Sequence, residues 1–295
     1  MQATDGGHRR ADLLALLGAV VGISCSAPLV VAFHGPVIAI ALWRTAFGAI
    51  ATAPLGWRHR DALRALAARD WALMALSGVF LALHFATWIP SLRYTSIAAS
   101  IAITATQVVW AALLAHLAGH RAPRREWIGI GIALLGVTVL TGIDFGLDPA
   151  SLVGDALALV AAMLAASYMH VGQRVRTRLP ATAYTTVVYT VAALTLVPVL
   201  RLMAVPFLAL DAHDWWIIIG ITLLAQLGGH SLMNQALRSF TATTVSLAVL
   251  IEVPGGTLIG WLWPGQVPPW QLLPAAVLIL GGLVLVLRNS APSAT

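Results

Sequence analysis

Apolar residues run along this chain in stretches of about twenty, each closed by charge, proline or glycine, the pattern of helices that cross a bilayer. Ten such stretches predict helices over 12–32, 36–56, 71–91, 95–118, 126–142, 152–173, 182–203, 214–237, 241–262 and 269–287. The connections at His34–Pro36, Leu92–Tyr94 and Ser239–Phe240 are so short that the helices they join should lie antiparallel and side by side.

Composition narrows the class. Of 295 residues, 59% are hydrophobic and 9% charged, whereas a soluble domain carries about a quarter charged residues. Ten crossings use nearly the whole chain, so an all-α membrane protein without a sizeable soluble domain is expected. The first apolar run leads directly into further runs, which does not read as a cleavable signal peptide. A single cysteine, Cys25, cannot form an intrachain disulfide or a paired-thiolate zinc cluster.

Charge placement predicts orientation. The net charge of +6 comes from 17 arginines, with no lysine, against 11 acids. Counted by alternate sides of the predicted spans, fourteen arginines (Arg9, Arg10, Arg58, Arg60, Arg64, Arg69, Arg121, Arg124, Arg125, Arg174, Arg176, Arg178, Arg238 and Arg288) fall on one side and two (Arg93 and Arg201) on the other. Arg44 falls inside a span. Positive charge concentrates on the cytoplasmic side, so both termini should be cytoplasmic and the chain multi-pass in the cell inner (plasma) membrane. The excess is read as loop charge, with no nucleic-acid partner. Tryptophans agree: Trp57, Trp71 and Trp127 lie at inner ends, and Trp215, Trp216, Trp261, Trp263 and Trp270 at outer ends. A loop carrying Asp144 and Asp148 falls outside.

Two halves match at ordered places. Asp12-Leu-Leu-Ala-Leu corresponds to Asp155-Ala-Leu-Ala-Leu, Asp70-Trp71 to Asp214-Trp215, Leu92-Arg93 to Leu237-Arg238, and Gly119 with Pro123 to Gly265 with Pro268, at offsets of 143 to 146 residues. Units over 12–142 and 152–287, with short tails 1–11 and 288–295, each make five crossings. The second must therefore enter the membrane from the opposite face, a 5+5 inverted repeat. That architecture suits alternating access, with a substrate site near the midplane between the halves.

The chain resembles the EamA-type exporters of the drug/metabolite transporter (DMT) superfamily, over about Asp12 to Leu287. The resemblance rests on Ala27-Pro28, Pro36 and Arg44 along helix 2, Leu92-Arg-Tyr-Thr-Ser96, Ala236-Leu-Arg238, and Pro254 in helix 9. Where the family often has Gly-Glu at the ends of helices 4 and 9, this chain has Gly119-His120 and Gly265-Gln266, and a proline common in helix 4 is replaced by Val108 or a neighbour. The resemblance implies a central cavity lined by helices 1, 3, 4, 6, 8 and 9. Relatives include YddG-type amino-acid exporters, which makes amino acids, aromatic ones among them, the first substrate class to consider.

Polar side chains in hydrocarbon are costly and tend to face a cavity, a partner helix or a pathway. Glu252 is the only carboxylate predicted deep in a span; a proton-exchange role and a structural bridge between helices are both open to it. Arg44 can counter Glu252 or a substrate carboxylate, or be held by backbone carbonyls. Gln226, His230 and Asn234 follow at i, i+4 and i+8 on helix 8 and share a face, suited either to a polar substrate or to interhelical hydrogen bonding. His84 and Trp88 share a face of helix 3 with Ser77, Leu81 and Ser91. Ser100, Thr104 and Gln107 line one side of helix 4 with Trp110 a turn on, and helix 6 carries Ser167, Tyr168 and His170. Small hydroxyls, Ser24 and Ser26 included, often bond their own helix backbone. His116 and His120 have a metal-compatible spacing without further ligands nearby, and no metal or cofactor is expected. Gly18-xxx-Gly22 and Gly256-xxx-Gly260 read as close helix approaches.

No P-loop, Gly-x-Ser-x-Gly, His-Glu-x-x-His or dinucleotide turn occurs, so this chain carries no ATP-binding motif. The leading expectation is a secondary transporter, not an enzyme, exporting a small metabolite through a cavity in the bilayer. Its substrate contacts would be His84, Trp88, Gln107, Trp110, Tyr168, Gln226, His230 and Asn234, with Glu252 and Arg44 handling charge. A multidrug or cation–proton antiporter using Glu252 is the alternative, and an intramembrane enzyme the third.

Overall fold

A computed structural model describes residues 2–95, 97–120, 122–141, 149–262 and 270–287. Among these, every regular element is a helix: α1 (Gln2–Ser24), α2 (Ser26–Ala32), α3 (Val37–Trp57), α4 (Arg60–Arg64), α5 (Ala68–Tyr94), α6 (Ile97–Ala105), α7 (Gln107–Leu117) and α8 (Arg124–Thr141). The chain continues through α9 (Pro149–Arg176), α10 (Ala181–Leu202), α11 (Ala212–Ile221), a π-helical stretch over Thr222–Ser231, α12 (Leu232–Ala236), α13 (Ala242–Val249), α14 (Glu252–Leu262) and α15 (Leu272–Leu287). Among the described residues, eight helices, some interrupted, are long and apolar enough to cross a membrane. α15 is apolar but only 16 residues long, and α8 opens on Arg124, Arg125 and Glu126. Arg121, Asp144, Asp148, Trp263, Gly265, Gln266, Pro268 and Arg288, and Ser96 of the resemblance motif, lie outside the described residues.

Several predicted spans are broken in the middle, and proline explains two of the breaks. Pro28 has no N–H for the carbonyl of Ser24, so the first span divides at Cys25, whose own N–H reaches back only to Gly22 at 3.3 Å. Pro254 likewise cannot donate to Leu250; Val253 takes that carbonyl at 3.2 Å, and the span divides at Leu250–Ile251. The division at Thr106 has no proline. There both the N–H (3.1 Å) and the hydroxyl (2.6 Å) of Thr106 donate to the carbonyl of Ile103, tightening the turn. Other helices run longer than expected: α5 absorbs Leu92–Tyr94, which the hydropathy pattern reads as a connection.

The helices pack in definite pairs. α5 lies along α9, α3 along α10, and α8 along α15; α1 runs beside the π-helical stretch and α12, while α7 contacts α9 and α13. Lipid is as apolar as leucine, so such packing relies on close fit and small residues rather than on expulsion of water. Gly22 is a case where closeness is required: a Cβ there would lie 2.5 Å from the carbonyl oxygen of Leu224 and 2.7 Å from that of Gly228. Gly129 of α8 and Gly282 of α15 face each other's backbone in the same way. Leu14, Val21, Leu194, Leu202, Trp216 and Val277 point outward instead, where a bilayer would solvate them.

Gly22→Ala should destabilise the protein by about 1–3 kcal/mol through overpacking against fixed backbone. Gly131→Ala, with nothing within 4 Å of the added carbon, should be neutral or slightly stabilising. Thermal unfolding of the two variants in detergent checks the contrast; equal melting temperatures would remove the close-packing assignment for Gly22.

Candidate functional site: a polar cavity between the helices

The interrupted helices, together with α5 and α9, surround a small cavity of about 60 Å³. It is lined from α5 by His84, Phe85 and Trp88, from α6 and α7 by Thr104 and Gln107, from α9 by Tyr168, and from the π-helical stretch by His230. Ser26 and Glu252, each at the start of the helix that follows a break, complete the polar wall. Six sequence-derived candidates (His84, Trp88, Gln107, Tyr168, His230 and Glu252) thus meet at one surface.

Three other candidates stand one layer back. Gln226 and Asn234 are fully buried and do not line the cavity. Gln226 accepts from Arg44 Nε at 2.8 Å through Oε1, and Asn234 Nδ2 donates to the hydroxyl of Tyr168 and, at 2.7 Å, to the carbonyl of His230. The stripe on helix 8 therefore divides its labour: His230 faces the cavity while its neighbours fix Arg44 and Tyr168. Trp110 is half-buried and lies off the cavity.

Arg44 is the most demanding group. It is completely buried. Besides Gln226, its Nη1 donates to Ser26 Oγ at 3.4 Å, and its guanidinium sits 4.1 Å from the centre of the Phe85 ring. Among the described residues no carboxylate lies within 4.0 Å of it; Arg64–Asp61, Arg178–Asp70 and His213–Asp214 are ion pairs elsewhere. The cation is thus held by an amide, a hydroxyl and an aromatic face, with Nη2 unpartnered.

Local folding explains how Gln226 reaches it. Gly48 of α3 lets that helix approach closely, since a Cβ there would lie 3.0 Å from Gln226 Cγ and 3.1 Å from the Tyr189 ring. The hydroxyl of Tyr189 then donates to the carbonyl of Gln226 at 3.2 Å, and Ser231 Oγ donates to the same carbonyl at 3.3 Å. These bonds support the backbone of the π-helical stretch, a geometry that occurs disproportionately at functional sites.

The cavity wall is aromatic as well as polar. Phe85 meets His230 edge-on with centroids 5.2 Å apart, and His84 and Trp88 lie nearly parallel at 6.3 Å. His84 Nδ1–H donates to the carbonyl of Ala161 at 2.9 Å, which leaves Nε2 as the acceptor of a neutral ring. His230 Nδ1 and Thr104 Oγ1 are buried without a protein partner, so two polar atoms of the wall remain for a guest molecule or water.

Sequence reasoning missed Phe85, because an aromatic residue in a span reads as lipid-facing. It also misread Arg176. Counted with the loop arginines, Arg176 is buried at the end of α9, where its Nε donates to the carbonyl of Asn234 at 2.6 Å and its Nη1 to that of Leu179. The spacing signal at His116 and His120 leads only to an exposed helix end.

An all-helical bundle with several bilayer-length apolar helices around a polar cleft is the build of a membrane transporter. The model of the EamA-like transporter family matches residues 9–142 and 152–288, and the chain belongs to that family, within the DMT superfamily. A crystal structure of a protein 18% identical in sequence superposes with a TM-score of 0.76, covering 97% of this chain and 99% of the other. At that identity the likeness concerns the fold alone. No curated protein matches the chain.

Replacing Gln226 by Leu should cost about 1.5–3 kcal/mol, the range for a lost hydrogen bond to a charged group. Made in an Arg44→Met background the same change should cost at least 0.5 kcal/mol less, because the two side chains share one contact. A double-mutant cycle on thermal stability reads this directly, and strictly additive effects would argue against the Arg44–Gln226 bond.

Proposed function

We propose that the protein is a ten-crossing secondary transporter built as a 5+5 inverted repeat, with both termini cytoplasmic, that exports small zwitterionic metabolites, amino acids first, by alternating access. The observation that carries this reading is the cavity itself. Residues from both halves of the chain converge on it with mixed polarity and an aromatic wall, the lining expected of a small-molecule site.

Packing supports the repeat. Exchanging each helix for its counterpart five crossings on turns the α5–α9 contact into that of α1 with the π-helical stretch and α12. The same exchange turns the α7–α9 contact into α1–α14 and leaves α3–α10 and α8–α15 paired with themselves. The break at Thr106 in helix 4 answers the break at Leu250 in helix 9, 144 residues on. The π-helical stretch accounts for a further detail. Between Asp70/Asp214 and Leu92/Leu237 the offset grows from 144 to 145 residues, and a π turn is how a helix accommodates one extra residue.

Charge supports the substrate class. Glu252 stands at the wall, and Arg44 lies behind Phe85 and Ser26 without a carboxylate of its own. An acid at the wall, with a buried cation one layer behind it, suits a molecule carrying both an ammonium and a carboxylate. His84, Phe85 and Trp88 offer a flat face to its side chain, and Glu252 is the group placed to exchange a proton during the cycle.

Uptake into inside-out vesicles, with a panel of radiolabelled amino acids, sugars and cationic dyes, tests the proposal. Amino acids should accumulate, and Trp88→Ala or His230→Ala should reduce uptake at least tenfold while the protein still folds. Accumulation of cationic dyes alone would favour the antiporter reading, and turnover of a lipid without any uptake would sink transport altogether.

Glu252→Gln should retain exchange down a substrate gradient but lose its dependence on a pH gradient. Unchanged pH dependence would remove the proton-carrying role from Glu252.

A further inference from the structure

Away from the cavity, the connection between α2 and α3 comes against the start of α11. His34 and His213 stack there with ring centroids 4.6 Å apart and planes 14° from parallel, and His213 Nδ1 lies 3.8 Å from Asp214 Oδ1. One nitrogen of each histidine and a carboxylate oxygen of Asp214 fall within 4.8 Å of one another. From this juxtaposition we infer that His34, His213 and Asp214 form a binding site for a Zn²⁺-type divalent cation, which ties the α2–α3 connection to α11.

The donor chemistry fits. Two neutral imidazoles and a carboxylate, with water in the remaining position, are a common ligand set for zinc, whose ligand atoms sit about 2.0–2.2 Å from the metal. Both imidazoles are exposed and free to rotate the short distance that coordination requires. The carboxylate is fixed in advance: Asp214 is buried, its N–H is capped by Asp211 Oδ1 at 2.7 Å, and its Oδ1 accepts the backbone N–H of His34 at 3.0 Å. Gly35 makes this approach feasible, since a Cβ there would lie 2.7 Å from Asp214 Oδ2. Ligands so oriented by their surroundings bind metal more tightly.

The position gives the site a consequence for transport, on the inverted-repeat reading proposed above. At the offset of 144 residues His34 corresponds to Arg178 and Asp214 to Asp70, and those two form an ion pair at 3.9 Å. Each half thus sends its first connection against the start of the other half's third helix. On the inner side the contact is an Arg–Asp pair; on the outer side it is built from potential metal ligands. A cation bridging the outer contact holds the two halves together there and biases the equilibrium toward the arrangement in which they touch.

Isothermal titration of Zn²⁺ into the purified full-length protein, prepared without a polyhistidine tag, tests the site without needing to know the transported substrate. One ion per chain should bind. His34→Gln, His213→Gln and Asp214→Asn, the last of which keeps an acceptor for the His34 N–H, should each weaken binding at least tenfold, while His116→Gln with His120→Gln should leave it unchanged. Zn²⁺ should also raise the melting temperature of the parent protein and not that of the His34→Gln/His213→Gln variant. Equal affinity in the parent and that double variant, or no saturable binding to either, would overturn the inference. Because the readout is binding, it stands or falls separately from the choice of amino acids as substrate.

Discussion

A guanidinium without a carboxylate sits at the centre of this protein, and much of the surrounding structure is arranged to hold it. Moving a cation out of water costs several kcal/mol unless polar partners replace the lost hydration. Arg44 finds those partners on three other elements: the amide of Gln226, the hydroxyl of Ser26 and the face of Phe85. Two of the three depend on a local irregularity. Ser26 opens the short helix that follows the break at Cys25, and Gln226 lies in the π-helical stretch braced by Tyr189. The bond to Gln226 joins the first half of the chain to the second, so the charge that is hardest to bury also ties the two halves together.

The broken helices follow a related logic. Unpaired backbone in hydrocarbon is too costly to persist facing lipid, but it is tolerated where protein or a polar cavity takes up the freed groups. The divisions at Thr106 and at Leu250–Ile251 lie beside residues that line the cavity, and Ser26 follows the division at Cys25. Proline creates two of these irregularities and a threonine hydroxyl the third. The regular pairs, α3 with α10 and α8 with α15, keep unbroken backbone over the described residues and contribute no cavity lining.

Within the site, legibility followed the range of the interactions. His84, Trp88, Gln107, Tyr168, His230 and Glu252 stood out because a polar or bulky aromatic group in an apolar run is conspicuous by itself, and all six reach the cavity wall. Trp110 and Arg176 show the limit of that signal. A tryptophan a turn beyond Gln107 points elsewhere, and an arginine at a helix end is drawn inside by the carbonyls of Asn234 and Leu179. Phe85 had no distinguishing mark until Arg44 was found above its ring. The cluster of His34 with His213 and Asp214 joins residues some 180 positions apart, beyond any local pattern.

Hydropathy along the chain by itself determined that it is a helical membrane protein, roughly where its apolar helices lie, and which polar residues interrupt them. Those properties depend on each segment's own transfer into lipid, and they are written residue by residue. Tertiary structure alone decided which of the deep polar groups face a common space and which serve as their supports. It also decided that a buried cation is satisfied by an amide, a hydroxyl and an aromatic ring rather than by the carboxylate of Glu252. Such choices depend on helix rotation, on breaks and on approaches to within an ångström, which are set by packing between segments and not by the composition of any one of them.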